Sequence, residues 1–497
     1  MVKKPNIVFI LSDDQGAWAL GCAGNPEIKT PNLDKLAASG IMFNNFFCAS
    51  PVCSPARASI LTGTIPSVHG VHDWLRGGNL DHDKLSHLKS EARYQDFDSE
   101  HKPISYLKDF TTYTDVLAEN GYNCALSGKW HLGDSINPQH GFSSWFTIGR
   151  GGCEYFNADV VKNGEVMYET DYITDVITDN ALTTLDHLCD NDAPFYLSVH
   201  YTSPHSPWDE ANHQKEYLDM YRDCEFLSVP DVETHPWDAG TAPSGKGEVR
   251  KELLRGYFAS ITSMDHNIGK IINKLEQKGE LENTIIIFTS DNGMNMGHHG
   301  IWGKGNGTVP QNMFDTSVKV PFIVNYKDKI KPGVCDKLIS HYDIFPTLME
   351  YLDLPFVAKQ RIIGSSFAGV LCDMLDVNNK TTGDFVVVFD EYGPVRMIRN
   401  IRWKYIHRYP YGPHELYDLS VDADEENNLV GLPEYSDIQA KLKEDLDGFY
   451  VKHADPKVDG TREAVTGLGQ LRKAGTHSKG GKVHFTSKLT EVLVDEA

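Results

Sequence analysis

Two parts of the sequence place acidic side chains directly after short apolar runs. Asp13 and Asp14 follow the first such run, and Asp291 and Asn292 follow a later one. Three carboxylates and one amide oxygen suit a hard cation that prefers oxygen ligands, in the first place Ca²⁺ and less often Mg²⁺. A zinc site would offer His or Cys at these positions. The sequence therefore predicts a Ca²⁺ site where two strand ends meet.

A cysteine and an arginine lie four residues apart in a Cys-Ser-Pro-Ala-Arg segment. Pro55 suits the first turn of a helix, which we expect to end at Gly63. Cys53 would then lie just before a helix N-terminus, where the helix dipole favours negative charge, with Arg57 on the same helical face. A nucleophile beside a guanidinium is the arrangement that an oxyanion-transferring enzyme needs. A reactive cysteine of the phosphatase kind fits the same residues.

The elements that must position these side chains alternate between β-branched runs and helical stretches, which is typical of a wound α/β sheet. The candidate strands are residues 6–11, 122–126, 195–199, 284–289 and 320–324. Each leads into a polar turn, and ligands of open α/β sheets bind beyond the carboxyl ends of the strands. Between the strands we expect a helix from Pro31 to the stop at Gly40, and a longer amphipathic helix over residues 250–278.

The pattern changes near residue 380, where short strands and then a helix are predicted. These segments are residues 384–389, 395–400, 402–407 and 435–451. We therefore expect a large catalytic domain over residues 1–378, with helices flanking its sheet, and a smaller α+β domain on an antiparallel sheet over residues 379–453. Residues 454–497, rich in Gly, Lys and Thr, are predicted to be an extended tail packed on the main domain.

The composition excludes several classes of protein. The 497 residues include 47 Lys and Arg against 69 Asp and Glu, a formal net charge of −22, which opposes binding to nucleic acid or anionic membranes. An anionic substrate therefore needs a local cationic pocket. The nine cysteines form no CxxC pair, which argues against a zinc ribbon or a disulfide scaffold.

Membrane insertion and export are not indicated by the apolar runs. No run approaches the ~20 residues that a membrane span needs. The N-terminal run, residues 7–11, is also shorter than the ~7–15 residues of a signal-peptide core. We therefore expect a cytoplasmic protein, or a periplasmic or secreted one if an export signal has been removed.

Residues 53–63 and 121–131 resemble the two signatures of the formylglycine-dependent sulfatase family, which lies in the alkaline-phosphatase-like superfamily. The first signature reads Cys-x-Pro-Ser/Ala-Arg, then an apolar pair and Thr-Gly, and the second runs from Gly-Tyr to Gly-Lys-x-His. Ala56 stands where Ser is commoner, and Cys124 stands where the family has Ser or Thr. Residues 402–406 and 415–419 resemble the family's C-terminal domain.

The resemblance implies that a maturing enzyme oxidises Cys53 to formylglycine, an aldehyde that hydrates to a geminal diol. One hydroxyl attacks sulfur while the alcohol leaves, and deprotonation of the other expels sulfate and regenerates the aldehyde. A plain serine would be trapped after one turnover. The implied metal ligands are Asp13, Asp14, Cys53, Asp291 and Asn292.

The remaining catalytic roles also follow from the resemblance. Arg57 and Lys129 hold positive charge near the diol, and His131 is the base for the elimination step. His205 is the general acid to the leaving oxygen, which suits a histidine near neutral pH. Lys304 binds the sulfate group. Together the cationic residues provide the local pocket that the acidic composition requires.

The predicted activity is hydrolysis of a sulfate ester with release of inorganic sulfate. Residues 168–185 and 201–208 resemble glycan-directed sulfatases, which favours a sulfated amino sugar of glycosaminoglycan or mucin type over a simple aryl or steroid sulfate. Six residues are candidates for the walls of the substrate pocket: His69, Trp74, Arg150, Trp208, His298 and His299.

Two other functions fit many of the same residues. A phosphodiesterase or phosphonate monoester hydrolase shares the fold and the cysteine motif, but many two-metal relatives carry Asp-His where this chain has Asp291-Asn292. Asparagine there argues for one cation. The other function is that of a Ca²⁺-dependent binder of sulfated glycans in which Cys53 is never converted. Every expected catalytic position is filled, so no feature favours the binder.

Overall fold

The computed structural model describes residues 3–81, 83, 102–372 and 390–475. In chain order its strands are β1 (Asn6–Ser12), β2 (Ile41–Phe43), β3 (Phe46–Phe47), β4 (Asn123–Lys129), β5 (Phe142–Ile148), β6 (Ala158–Lys162), β7 (Glu165–Glu169), β8 (Phe195–His200), β9 (Thr284–Ser290), β10 (Asn295–Met296), β11 (Trp302–Gly303), β12 (Phe322–Tyr326), β13 (Gly333–Cys335), β14 (Ile339–Ser340), β15 (Asp390–Tyr392), β16 (Val395–Arg399), β17 (Trp403–Arg408) and β18 (Glu415–Asp418). Its α-helices are α1 (Pro31–Ser39), α2 (Cys53–Thr62), α3 (Pro66–His69), α4 (Tyr113–Glu119), α5 (Ile173–Cys189), α6 (Lys215–Asp219), α7 (Gly247–Gln277), α8 (Asp315–Val318), α9 (Ile344–Tyr351), α10 (Ala368–Leu371) and α11 (Ser436–His453).

Ten of these strands form one mixed sheet in the order β13-β2-β12-β9-β1-β8-β4-β5-β6-β7. The central strands β9, β1, β8, β4 and β5 are parallel to one another, so their carboxyl ends lie at one edge of the sheet. β12 pairs antiparallel with β9, and β6 and β7 add antiparallel strands beyond β5. The predicted α/β fold with a large wound mixed sheet is confirmed.

The central strands are apolar throughout because both faces of the sheet are covered. All seven residues of β1 are buried, and successive side chains point to opposite faces. Ile7 and Phe9 join a core cluster with residues of α2, α4 and α9, whereas Val8 and Ile10 join a second cluster with residues of α1, α5 and α7. The sheet is therefore the middle layer between two layers of helices, as the alternating sequence pattern predicts.

The predicted element bounds are close to the observed ones, with physical reasons for the differences. β12 begins at Phe322 rather than at residue 320, because Pro321 has no N–H to donate to the ladder. β4 continues to Lys129, three residues beyond its predicted end. Cys53 is the first residue of α2 and not the residue before it, and Gly63 ends that helix in the left-handed conformation.

The C-terminal part contains the four-stranded antiparallel sheet β15-β16-β17-β18, with α11 packed on it through Leu442 and Leu446. The small antiparallel-sheet unit is thus confirmed. The strand predicted over residues 384–389 lies outside the described residues. The domain limits at residues 378 and 453 stay predictions, as does the tail, of which residues 454–475 are described.

Helices long and apolar enough to cross a membrane were sought among the described residues, and none was found.

Gly128 lies in β4 and pairs with β8 near the carboxyl ends of these strands. Its φ is +119°, and a Cβ there would lie 1.9 Å from the carbonyl oxygen of His200, its ladder partner. We expect Gly128→Ala to lower the free energy of unfolding by about 3 kcal/mol or more, because two hydrogen-bonded strands cannot move apart. Gly121→Ala is the matched control, since Gly121 has φ +86° with nothing within 4 Å, and should cost only ~1 kcal/mol. Equal losses of unfolding free energy in the two variants, measured by urea denaturation, would contradict the close packing of β4 on β8 at Gly128.

Candidate active site

The turns after four parallel strands converge at the carboxyl edge of the sheet. β1 delivers Asp13 and Asp14, β9 delivers Asp291 and Asn292, and β4 ends on Lys129. β8 leads through a short turn towards His205. This is the position at which open α/β sheets bind ligands, and it brings together residues that lie far apart in the sequence.

The acidic residues form a compact buried cluster. Ligand atoms of Asp13, Asp14, Cys53 and Asp291 all lie within 4.8 Å of one another. Asn292 Nδ2 donates to Asp14 Oδ1 over 2.8 Å, while Asn292 Oδ1 is buried and accepts no hydrogen bond from the described residues. A buried oxygen without a donor beside three carboxylates is the donor set that a hard cation such as Ca²⁺ completes. The predicted metal ligands therefore fit a cation of that class.

The turn that carries Asp14 is strained and firmly held. Asp14 has φ +62°, which is uncommon for a residue with a side chain. Tyr257 Oη donates to the Asp14 carbonyl oxygen over 2.9 Å, and the next N–H, of Gln15, donates to Ser290 Oγ over 3.0 Å. Such conformations persist only where the surroundings impose them, and they cluster at functional sites.

Cys53 lies at the N-terminus of α2, against the acidic cluster. Its Sγ is 3.2 Å from Asp13 Oδ1 and 3.0 Å from Lys304 Nζ. Burial and the Asp13 carboxylate raise the pKa of the Cys53 thiol well above its ordinary value. The thiol donates to a carboxylate oxygen, and a thiol held neutral in this way is a poor nucleophile, which disfavours the reactive cysteine of a phosphatase.

Three buried cationic side chains surround the cluster. Arg57 Nε donates to Asp291 Oδ2 over 2.8 Å, Lys129 Nζ contacts Asp13 Oδ2, and Lys304 Nζ contacts Asp14 Oδ1. Burial disfavours the charge on Lys304, but the neighbouring carboxylates outweigh it and raise the pKa of Lys304 well above its ordinary value. These groups therefore stay charged, and they supply fixed positive charge beside Cys53.

His131 is buried in a defined tautomer. Its Nε2 lies 3.1 Å from the carbonyl oxygen of Leu75, which can only accept, so Nε2 carries the proton and Nδ1 has the lone pair. That Nδ1 makes no hydrogen bond with any described residue. Burial and the charge of Lys129 lower the pKa of His131 well below its ordinary value. A neutral ring with an uncommitted lone pair is chemically able to accept a proton.

His205 is the least buried of the catalytic candidates, with 25% of its side chain exposed. Its Nδ1 is 2.7 Å from the carbonyl oxygen of Ser206, and its Nε2 is 3.7 Å from Asp14 Oδ2. The Ser206 carbonyl can only accept, so Nδ1 carries a proton, and Nε2 is the ring nitrogen that faces the Asp14 carboxylate at the cavity.

A cavity of about 680 Å³ opens above these residues. Cys53, His131, His205 and Lys304 line it together with three of the predicted wall residues, namely Trp74, Arg150 and Trp208.

Three predicted wall residues do not line this cavity, and each has its ring engaged elsewhere. His69 Nε2 lies 3.0 Å from Ser59 Oγ in the buried core. The His298 ring packs against Trp18 with centroids 4.6 Å apart, and the His299 ring stacks on Phe314 at 3.9 Å. The wall prediction is wrong for these residues, because chain proximity to a motif does not decide which way a ring points.

Several residues of the site were not predicted from the sequence. Asn79, Thr241, Asn306 and Leu468 line the cavity, and they come from loops that no local pattern connects. Gly151 packs so closely on His131 that a Cβ would lie 2.1 Å from its Nε2. The glycine pair that follows Arg150 is a signal of close approach that could have identified it.

The fold and the site define a hydrolase of the alkaline-phosphatase-like superfamily. A family model described as Sulfatase matches residues 5–354, and one described as N-sulphoglucosamine sulphohydrolase, C-terminal, matches residues 297–452. Because the first match covers more than half of the chain, the chain belongs to the sulfatase family. The predicted sulfatase activity, hydrolysis of a sulfate ester, is confirmed.

Similar proteins and structures cover almost the whole chain. An N-acetylglucosamine-6-O-sulfatase of Bacteroides thetaiotaomicron is 27% identical over 95% of this chain and 90% of its own length, and an ulvan-active sulfatase of Formosa agariphila is 30% identical over 88% and 80%. A solved complex with the substrate D-glucosamine-2-N,6-O-disulfate has a TM-score of 0.74 at 24% identity and covers 93% of this chain and 100% of its own. A phosphonate monoester hydrolase of Agrobacterium radiobacter shares the fold, with a TM-score of 0.68 at 21% identity over 90% and 96%.

The buried pair of Arg57 and Asp291 allows a direct test of the electrostatics. Without added divalent cations, Arg57→Met should lower the free energy of unfolding by about 3–5 kcal/mol, because it leaves a buried carboxylate without its partner. The control is Arg402→Met, whose side chain is 55% exposed and pairs with Asp418 over 2.7 Å, and which should cost far less because solvent screens an exposed ion pair. Similar losses of unfolding free energy in the two variants, measured by urea denaturation, would show that the pair of Arg57 and Asp291 is not effectively buried.

Proposed function

We propose that this sulfatase releases inorganic sulfate from a sulfated sugar, with Cys53 converted to formylglycine and one Ca²⁺ bound at the acidic cluster. The observation that carries the proposal is the position of Cys53, in contact with Asp13 and Lys304 at the floor of the cavity. In the converted enzyme, the diol hydroxyls would take the place of Sγ. Conversion needs a formylglycine-generating enzyme as a transient partner.

The cation site is assigned from its donors. Asp13, Asp14, Asp291 and Asn292 would hold the ion, with the modified Cys53 beside it. Ca²⁺ is favoured over Mg²⁺ because it accepts six to eight oxygen ligands in flexible geometry, whereas Mg²⁺ demands a strict octahedron and retains water. When bound, the cation would supply Lewis-acid chemistry, lowering the pKa of a neighbouring hydroxyl and polarising the sulfate oxygens.

The cationic residues bind and orient the anionic group. Lys304 Nζ lies 3.0 Å from Cys53 Sγ, so it can also contact a sulfate oxygen placed above that position. Lys129 is held in place by Asp13, and Arg57 is held in place by Asp291. Fixed charges that need no reorganisation stabilise the transition state where negative charge develops. They also allow an anion to bind to a chain of net charge −22.

His205 is assigned as the general acid for the leaving alcohol. It is the less buried of the two histidines that line the cavity, through which the alcohol must depart towards solvent. Because the Ser206 carbonyl holds Nδ1–H, Nε2 is the nitrogen that would carry the second proton of the imidazolium and give it to the leaving oxygen, which leaves a neutral ring.

His131 is assigned as the base that resets the enzyme. Its lowered pKa keeps the ring neutral, so the Nδ1 lone pair is free to take a proton from the second hydroxyl after the alcohol has left. The acid and the base are therefore two histidines in different environments, one partly exposed and one buried.

A sugar is the favoured alcohol. The cavity of about 680 Å³ has room for a sugar ring beyond the sulfate position, with Trp74 and Trp208 among its walls. Relatives named for N-acetylglucosamine 6-sulfate and for ulvan, and the solved complex with a glucosamine disulfate, support the same class. A sulfated amino sugar is proposed ahead of an aryl or steroid sulfate.

The test compares three substrates on one preparation whose Cys53 peptide has been verified as the aldehyde by mass spectrometry. We expect kcat/KM for N-acetylglucosamine 6-sulfate to exceed that for an aryl sulfate, and the aryl sulfate to exceed the matching aryl phosphodiester by about tenfold or more, since each step of tenfold needs only ~1.4 kcal/mol of differential transition-state binding. A tenfold preference for the diester would overturn the sulfatase assignment. A kcat/KM for the aryl sulfate equal to or greater than that for N-acetylglucosamine 6-sulfate would overturn the sugar assignment.

A further inference from the structure

The last described part of the chain reaches the active-site cavity. Residues 465–472, which we call the C-terminal strap, run beside residues 70–77. Gly467 and Leu468 line the same cavity as Cys53 and His131. The strap therefore borders the active site, although none of the catalytic motifs lies in it.

Gln470 anchors the strap and is completely buried. Its Oε1 accepts from the N–H groups of His72 and Asp73, over 2.8 and 3.3 Å. Its Nε2 donates to the carbonyl oxygens of Gly70 and Arg472, over 3.0 and 2.8 Å. The amide therefore has all four of its usual hydrogen bonds, three of them to the neighbouring segment.

The backbone of Gln470 continues this contact on both sides of Leu75. Its N–H donates to the Trp74 carbonyl over 2.7 Å, and its carbonyl accepts from the Arg76 N–H over 2.9 Å. Leu75 and Gln470 are partners in a parallel β-bridge. Leu75 is thus fixed by hydrogen bonds to the residues before and after it.

The Asp73 carboxylate adds a second anchor. Its Oδ2 accepts from the N–H groups of Gly467 and Gly469, over 3.0 and 3.1 Å, and its Oδ1 accepts from Tyr392 Oη over 2.8 Å. The strap, the small antiparallel sheet and the segment that holds Leu75 are thereby joined at one buried carboxylate.

The backbone of Leu75 makes hydrogen bonds both to His131 and to Ser54, the residue next to Cys53. Its carbonyl accepts from His131 Nε2 over 3.1 Å and so fixes the tautomer of that ring. Its N–H donates over 3.0 Å to Ser54 Oγ, on the residue next to Cys53. A displacement of Leu75 would therefore release the His131 ring, and outer contacts of this kind control the orientation of catalytic groups.

We propose that the strap is part of the catalytic machinery and that Gln470 is a positioning residue for His131, acting through the Leu75 carbonyl. The proposal rests on the base role of His131 under the proposed function. Gln470 should affect the rate of turnover more than binding, because the cationic groups that hold sulfate do not contact it. Leu468 should affect binding of a bulky sugar instead, since it lines the cavity.

The test is a double-mutant cycle with Gln470→Ala and His131→Ala on the full-length converted enzyme, with an aryl sulfate as substrate. Gln470→Ala should lower kcat by about 10–100-fold with KM within about twofold. In the His131→Ala background, the same change should lower kcat by less than about twofold, because the group on which it acts is gone. If Gln470→Ala reduces the yield of folded protein, Gln470→Met keeps the side-chain volume and replaces it in the cycle.

The control is Asp459→Ala. Asp459 accepts from Arg396 over 2.8 Å and holds the tail ahead of the strap, and the structure gives it no contact with Leu75 or His131 among the described residues. It should leave kcat unchanged. An undiminished loss from Gln470→Ala in the His131→Ala background, or no loss in the wild-type background, would overturn the strap's role. Wild-type kcat in His131→Ala itself would instead refute the base assignment in the proposed function.

Discussion

Three carboxylates buried at one point of the sheet edge impose the main physical constraint on this structure. Two unit charges 4 Å apart interact by ~4 kcal/mol at the effective dielectric of a protein site, so the carboxylates of Asp13, Asp14 and Asp291 repel one another unless compensating charge lies beside them. Arg57 and the two lysines supply three positive charges, which formally balance the three carboxylates. The feature that favours a cation is instead the buried Asn292 Oδ1 beside the carboxylates, which accepts no hydrogen bond from the described residues.

The fold satisfies this constraint with rigid elements. The parallel strands β1 and β9 carry the carboxylates at their ends, and β4 ends on Lys129. Helix α2 carries both Cys53 and Arg57. Loops and the C-terminal strap then form the cavity, where the substrate alcohol must lie. The charged residues thus lie on strands and a helix, whereas loops surround the substrate alcohol. Members of one superfamily can therefore share the charged residues and still act on different esters, since specificity depends on the loops.

The sequence predicted the parts of the site that are local, and missed those that depend on packing. Strand ends carry Asp13 and Asp291 because apolar runs must be followed by a turn, and the helix at Cys53 could be recognised from its proline and its terminal glycine. The orientation of His298 and His299 could not be predicted, because aromatic neighbours far away in the chain determine it. Gln470 likewise has no local signature, since all of its importance lies in long-range hydrogen bonds.

The account depends most on the cation at the carboxylate cluster. The decisive measurement determines bound calcium and turnover in the same sample of converted enzyme, first after chelation and then after calcium is restored. The account predicts one Ca²⁺ per chain, loss of turnover on chelation and its recovery on addition, with affinity weakened by about tenfold or more in a folded Asp291→Asn variant. Full turnover in a chelated sample that contains no bound metal would contradict it.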